Sequence, residues 1–373
     1  MNRQALIDLL TTVRPGLSSK EVVELSTAFL FRKGRVITFN DEVYVSAPLP
    51  DELTEALDGI AVEAKPFYNL LLSTNSKDVK LKVLKNELRV TGKGFKAGVR
   101  LYKSERPLDI ELPTRYKKFN TAILHALDIC QLTASKDMSR PLITCVHVHP
   151  EFVEATDSYR LTTFPMETGV KKPFLIPARH IPNLLAYDVL SYARQDGWLH
   201  FRNKNKVIFS CRTFEETYVD TTPAREKKGT RIQFTKKLIE ILEAANVFLN
   251  DKHASEMYVE IKITDNKAKV RSEGSDGWFA GRVPARCAKD VSFYINPFLL
   301  RDVLQSKGRI MLGKRSIIFK TSEFIHQVVY VHEMPHKEDE ESADTAAYDN
   351  PDEDLGPAFP SEALDADMDD NSF

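Results

Sequence analysis

Apolar and polar residues alternate with a period of two in three thirteen-residue stretches: Val79–Thr91 (VKLKVLKNELRVT), Trp198–Ser210 (WLHFRNKNKVIFS) and Arg309–Thr321 (RIMLGKRSIIFKT). Each predicts a β-hairpin, two strands around a Lys/Asn/Gly turn. Their starts lie 119 and 111 residues apart. Ahead of each comes a short helix-like stretch with a Leu pair near its end: Glu63–Leu72, Pro177–Tyr187 and Asn296–Leu304. Asn296 is placed to cap the last of these, and Pro297 suits its first helical position. Three longer amphipathic segments precede them, Asn2–Val13, Phe119–Leu132 and Phe234–Leu249. In the third, Leu238, Ile241, Leu242, Ala245 and Leu249 fall at helical spacing, with Lys236, Lys237, Glu240 and Glu243 on other faces.

Strand-forming stretches fill the intervals. Ala28–Ala47 reads as a meander with turns at Lys33-Gly34 and Asn40-Asp41, and Pro141–Phe164 as another with a turn near His149-Pro150. In the third set the strands are Met257–Ile263, Lys267–Glu273 and Trp278–Ala285, with Gln327–Glu333 closing the unit. The same order of elements three times predicts a domain-length repeat and an α+β fold, two helices per unit covering one face of antiparallel sheets. The polar stretches Ser104–Pro113 and Asp220–Gly229 are the expected joints. They divide the chain into units 1–108, 109–222 and 223–336. Joining units edge to edge would hide their unpaired strands and make an arc, which closes into a ring on meeting a copy of itself.

Charge sharpens this picture. The net charge of −1 conceals an acidic segment, Lys337–Phe373, with 14 Asp/Glu and one Lys, and a body with 51 Lys/Arg against 39 Asp/Glu. A basic body points to a polyanionic partner, or serves solubility alone. The segment 337–373 has few large apolar residues, so it is expected to be disordered. It could compete in cis with such a polyanion for the basic body, attract a basic partner, or simply solubilise. Cys130, Cys145, Cys211 and Cys287 are widely spaced, as expected of buried thiols in a reducing compartment. No signal peptide or membrane-length apolar run is evident, so a soluble, cytoplasmic protein is expected.

Several segments resemble the bacterial sliding clamp, the β subunit of the replicative DNA polymerase III, in a divergent form such as a phage might carry. Val153–Leu161 (VEATDSYRL) is similar to the family's A-T-D-G-x-R-L stretch, with Ser158 in place of the Gly. Ser139–Ile143 (SRPLI) resembles its R-P-hydrophobic segment, and Phe174–Leu185 its V-P-x-K helix start. Tyr294–Leu304 resembles F-N-x-x-Y-L-x-D-x-L, and Tyr330–Pro335 (YVHEMP) the Met-Pro near the family's C-terminus. These matches stand in order across residues 1–336. The chain departs by continuing past Met-Pro and by carrying His332 near a usually aliphatic position.

The resemblance implies three tandem clamp domains forming half of a closed, head-to-tail homodimeric ring, with helices lining a hole through which double-stranded DNA passes unread. Residues matched to DNA-facing positions are Lys20, Lys65, Lys136, Arg140 and Arg179. Lys117, Lys118, Lys236, Lys237 and Arg301 join them because they lie on or beside the predicted inner helices. Each alone is equally consistent with a solvated surface charge. The resemblance also implies a pocket for short peptides of the polymerase and clamp loader, at Leu142, Thr156, Ser158, Tyr159, Arg160, Leu161, Pro223 and Met334. The alternative is that Leu142, Leu161 and Met334 are ordinary core. The implied dimer seam is Phe95 to Leu101 against Val247 and Phe248.

The implied activity is therefore that of a non-enzymatic processivity factor on DNA, in a bacterial cell or phage-infected host, with no cofactor and no membrane. No Walker-type phosphate loop or G-x-S-x-G nucleophile motif is present. Two other classes stay open. One is a non-ring DNA-binding scaffold with clamp-like domains. The other is a metal-dependent nucleic-acid-processing enzyme using His147 and His149, which a strand would place on one face. Asp157, Tyr159 and Arg160 could do acid–base chemistry, but in a clamp-like turn the Asp and Arg serve as braces.

Overall fold

The structure, a computed structural model, describes residues 1–21, 23–103, 110–249, 257–305 and 308–333. Helix α1 (Arg3–Val13) opens the chain, followed by strands β1 (Ala28–Arg32), β2 (Arg35–Phe39) and β3 (Val43–Pro48). A short α2 (Asp51–Thr54), β4 (Ile60–Glu63), α3 (Ala64–Ser73), β5 (Lys80–Val83), β6 (Glu87–Gly92) and β7 (Phe95–Lys103) follow. The order then recurs: β8 (Lys117–Lys118), α4 (Ala122–Cys130), β9 (Cys145–Val148), β10 (Phe152–Thr156) and β11 (Arg160–Pro165). Next come β12 (Phe174–Pro177), α5 (Ile181–Leu185), β13 (Val189–Gln195), β14 (Trp198–Asn203) and β15 (Ile208–Arg212).

The third passage begins with β16 (Thr230–Phe234), α6 (Lys237–Asn246), β17 (Val259–Thr264), β18 (Lys267–Gly274) and β19 (Gly277–Cys287). It ends with β20 (Val291–Ile295), α7 (Pro297–Gln305), β21 (Arg309–Leu312), β22 (Ser316–Lys320) and β23 (Ile325–Val331). All three expected hairpins form, as β5–β6, β14–β15 and β21–β22.

The chain makes two compact units, Met1–His125 with Phe174–Glu215, and Ala126–Pro173 with the residues from Glu216 onward. In the first unit an antiparallel sheet runs β5-β6-β7-β4-β1-β2-β3-β15-β14-β13-β8. Its hairpin turns show why the sequence folds there. Lys33 and Gly34 take φ of 50° and 69°, and Asp196 and Gly197 take 51° and 75°, the left-handed pair that matches strand twist. At Asn40 the side-chain Oδ1 accepts the backbone N–H of Glu42 (3.1 Å) and Val43 (2.8 Å), leaving Asp41 left-handed at φ 72°. Helices α1 and α3 bury Leu6, Ile7, Leu10, Phe67, Tyr68 and Leu71. The Thr11 and Tyr68 hydroxyls meet at 2.7 Å, and Phe29 packs edge-on to Phe67. On the opposite side of the sheet, Leu25, Ile110 and Leu112 pack against a second layer that includes Leu30, Phe39 and Trp198.

In the second unit the strands run β9-β10-β11-β23-β20-β17-β18-β19-β16-β21-β22, and β22 also pairs with β23. Leu238, Leu242, Ala245 and Leu249 of α6 and the turn after it are buried with Val259, Ile261, Val270, Phe293 and Leu300. Asn296 caps α7, its Oδ1 accepting the N–H groups of Phe298 (3.0 Å) and Leu299 (3.3 Å).

Several expectations need correction. Lys117 and Lys118 lie on a strand, β8, paired with Ser191 and Tyr192 of β13. Helix α4 starts only at Ala122, where Asn120 Oδ1 accepts the Ala122 N–H at 3.1 Å. The helix expected over Pro177–Tyr187 is a 3-10 turn plus the five-residue α5. Phe234 belongs to β16, because the alternating TRIQF segment pairs with both β19 and β21 before the helix begins. Strands β4, β12 and β20, each leading directly into a second helix, were not among the expected elements. The four cysteines are free, three of them buried. The first joint in part, Met334 and the acidic segment fall outside the described residues.

Candidate functional site

The turn between β10 and β11 gathers most of the residues matched to a peptide pocket. Asp157 Oδ1 accepts the N–H groups of Tyr159 (3.0 Å) and Arg160 (2.9 Å), and its Oδ2 accepts Arg160 Nε at 2.8 Å. Thr156 Oγ1 donates to the Arg160 carbonyl at 2.7 Å and accepts the Ser158 N–H at 3.1 Å. Asp157 and Arg160 therefore brace the turn. Ser158 stands at φ 81°, so the left-handed geometry that a Gly would supply is kept without one. This leaves Tyr159 exposed at the tip, while Leu161 is buried core.

The guanidinium of Arg160 also faces Asp302 of α7, Nη1 to Oδ2 at 3.5 Å, tying the turn to the helix. Around the turn, the Tyr218 hydroxyl accepts the Thr156 N–H at 3.2 Å and donates to the Cys145 carbonyl at 3.5 Å. Burial drives the Tyr218 pKa far up, so this hydroxyl stays protonated. Leu142, half-buried in the 3-10 turn Pro141–Thr144, leads into β9 beside it. Pro223 is exposed, next to Ala224, whose carbonyl accepts Gln327 Nε2 at 2.7 Å.

A buried polar cluster beneath this surface was not legible in the sequence. Glu154 faces His147 across the β9–β10 pair, its Oε1 3.0 Å from Nδ1. Its other oxygen accepts Thr221 Oγ1 (2.9 Å) and Arg225 Nη2 (2.7 Å). His147 stacks on Tyr218 and His149 on Phe152. Among the described residues, no three His, Cys, Asp or Glu side chains are grouped to hold a metal ion.

The cations matched to DNA contacts are mostly exposed. Lys20, Lys65, Lys117 and Lys118 are exposed in the first unit, and Lys136, Arg140, Lys236 and Lys237 in the second. Arg179 pairs with Glu42 at 2.9 Å. Arg301 is mostly buried, lying over Phe298 and 3.6 Å from Asp302. The helices themselves also expose Asp8, Asp128, Glu240 and Glu243, so their solvent faces are mixed in charge. Of the residues matched to a dimer seam, Val247 is 63% exposed, whereas Phe95, Leu101 and Phe248 are half-buried.

No protein-family model matches the sequence, and no curated protein matches it significantly. The fold, in contrast, is matched by solved structures over nearly their whole length. The β subunit of the Streptococcus pyogenes DNA polymerase superimposes with a TM-score of 0.76 at 19% identity, covering 89% of this chain and 99% of that one. The DNA polymerase III β chain of Streptococcus pneumoniae gives 0.75 at 19%, covering 89% and 98%. The DNA polymerase sliding clamp of Bacillus subtilis gives 0.74 at 15%, again covering 89% and 98%. The chain has the fold of the bacterial DNA polymerase III β sliding clamp, carried by a divergent sequence.

Proposed function

We propose that this protein is a DNA sliding clamp, a processivity factor without catalytic activity of its own. Three clamp domains, residues 1–108, 109–222 and 223–336, make half of a ring that two copies close head to tail. The ring encircles duplex DNA and tethers a polymerase topologically, so that a polymerase that lets go stays at high local concentration near the primer end. The observation that carries this reading is the shared fold over 89% of the chain, with the element order recurring three times.

In this reading the exposed Lys and Arg side chains around the hole meet phosphates one at a time, which holds the duplex without fixing its sequence. The turn at Thr156–Leu161, with Leu142 and Pro223, receives short apolar peptides from the polymerase and the clamp loader. Its brace supports that role, because Arg160 is fixed by Asp157 and the Tyr159 side chain is 39% exposed at the tip. Val247 and Phe248 meet Phe95 to Leu101 of the second copy.

Light scattering on the eluting protein tests this directly. A mass twice the 42.4 kDa of the chain, together with closed rings of one size under negative stain, is the expected result. A monomer, or a dimer without a central opening, would overturn it. Metal analysis of the purified protein addresses the enzymatic alternative at His147 and His149.

A further inference from the structure

The outer face of one sheet in the second unit is strongly basic. Strand β18 alternates strictly: Ala268, Val270 and Ser272 are buried, while Lys267, Lys269 and Arg271 are exposed. The register carries this face across its neighbours. Lys262 of β17 and Arg282 of β19 both lie opposite Lys269. Arg286 pairs with Gln233 of β16, and Arg231 of β16 with Met311 of β21, two residues after Arg309. Eight cations thus share the face with two carboxylates, Glu260 and Glu273.

Apart from Arg271, which reaches Glu273 at 2.9 Å, none of these cations has an ion pair with a described carboxylate. Two hollows lie on this face. One groove of about 700 Å³ is lined by Arg231, Gln233, Pro284, Arg286 and Arg309, and a smaller one by Lys262, Lys269, Arg271 and Arg282 with Glu260. Trp278, 64% exposed, stands on the same face opposite Glu273. Helix α6 covers the other side, where Ser272 Oγ donates to the Ala245 carbonyl at 2.7 Å. These cations therefore belong to a different surface from the helix faces invoked for duplex DNA.

We propose that the acidic segment 337–373 docks in cis on this face. Its 14 carboxylates against one lysine complement the unpaired cations. Its point of departure is close, because β23 ends at Val331 paired with Tyr294 of β20, and β20 pairs with β17. Three strand spacings separate β23 from β18, about 15 Å, whereas a flexible chain of this length spans roughly 35 Å. Tethering favours this occupant over an untethered polyanion such as single-stranded nucleic acid. The docked segment shields the face from stray nucleic acid and is released as salt rises.

Carbodiimide coupling of the full chain, mapped by mass spectrometry, tests this. At about 50 mM salt, amide links are expected between carboxylates of 337–373 and Lys262, Lys267 and Lys269, falling at least about fivefold at 0.5 M. The full chain with Arg282→Glu and Arg286→Glu should show a similar fall, and Arg282→Gln with Arg286→Gln a smaller one. Three outcomes would overturn the proposal: no links, links centred on Lys65, Lys236 and Lys237, or yields unchanged by the substitutions. It also fails if a single-stranded oligonucleotide shields the three lysines while the segment stays free of them.

Discussion

Glu154 and Arg225 meet at 2.7 Å although 71 residues separate them in the chain. The carboxylate side is 1% exposed, so its charge depends on Arg225, Thr221 and His147 for compensation. Arg225→Ala strands that charge in the interior and is expected to destabilise the second unit by about 3 kcal/mol. Hydrogen exchange of the β10 amides under increasing urea should show it. Arg225→Lys, which lacks the planar fork, should recover only part of the loss.

Ser158 holds a left-handed backbone with its side chain in solvent. Ser158→Gly is expected to leave stability equal or slightly raised, whereas Ser158→Val should cost about 1–3 kcal/mol. Urea titration of both variants distinguishes them. If the turn also receives a partner peptide, the Val variant should weaken that binding as well, because Tyr159 and Arg160 would shift.

Acid should loosen the protein through three buried histidines. Burial pushes the pKa of His326 down to about 3, with Arg160 nearby adding to the effect, and those of His180 and His200 to about 4. In the unfolded chain these groups protonate near 6.5. Between the two values the unfolded state binds more protons, so stability is full above about pH 6.5 and falls as pH drops toward 4. Denaturation midpoints at pH 7.5, 6 and 5 should decline. Replacing His326, whose Nδ1 lies 2.7 Å from Thr162 Oγ1, by Gln should flatten the decline in the second unit.

Much of this architecture was written in local patterns. Asn296 followed by Pro297 named the start of α7, and alternation with the Lys33-Gly34 and Asn40-Asp41 turns named the first meander. Local rules gave out where pairing is made at long range. Lys117 and Lys118 carry no strand signal, and only the partner β13 makes them one. Ile60–Glu63 and Phe174–Pro177 are too short for a period to show before the helix that follows. Glu154 looked like one more polar residue, because its burial comes from strand register and a distant arginine. The Asp157–Arg160 brace was legible, since both partners lie within one turn, whereas Asp302 was not.

Lys236 and Lys237 sit exposed where α6 begins. If this end faces DNA, Lys236→Glu with Lys237→Glu should weaken retention on duplex without altering the fold. The salt dependence of binding should also become shallower, by a slope change of roughly one to two. Gel retention over a salt series measures both.

Val247 offers 63% of its surface to solvent at the end of the same helix. If two copies meet at Val247 as proposed, Val247→Glu should weaken the dimer by about tenfold or more in dissociation constant, with hydrogen exchange of the core strands unchanged. Sedimentation at several concentrations reads the shift.

The last strand, β23, pairs with three others at once, β11, β20 and β22. During synthesis those three would leave the ribosome lacking a common neighbour, so the second unit stays incomplete until nearly all of the described chain has emerged. A message cut short before Ile325 would yield a nascent product with three open β edges, a substrate for chaperones and proteases, not a shorter folded protein.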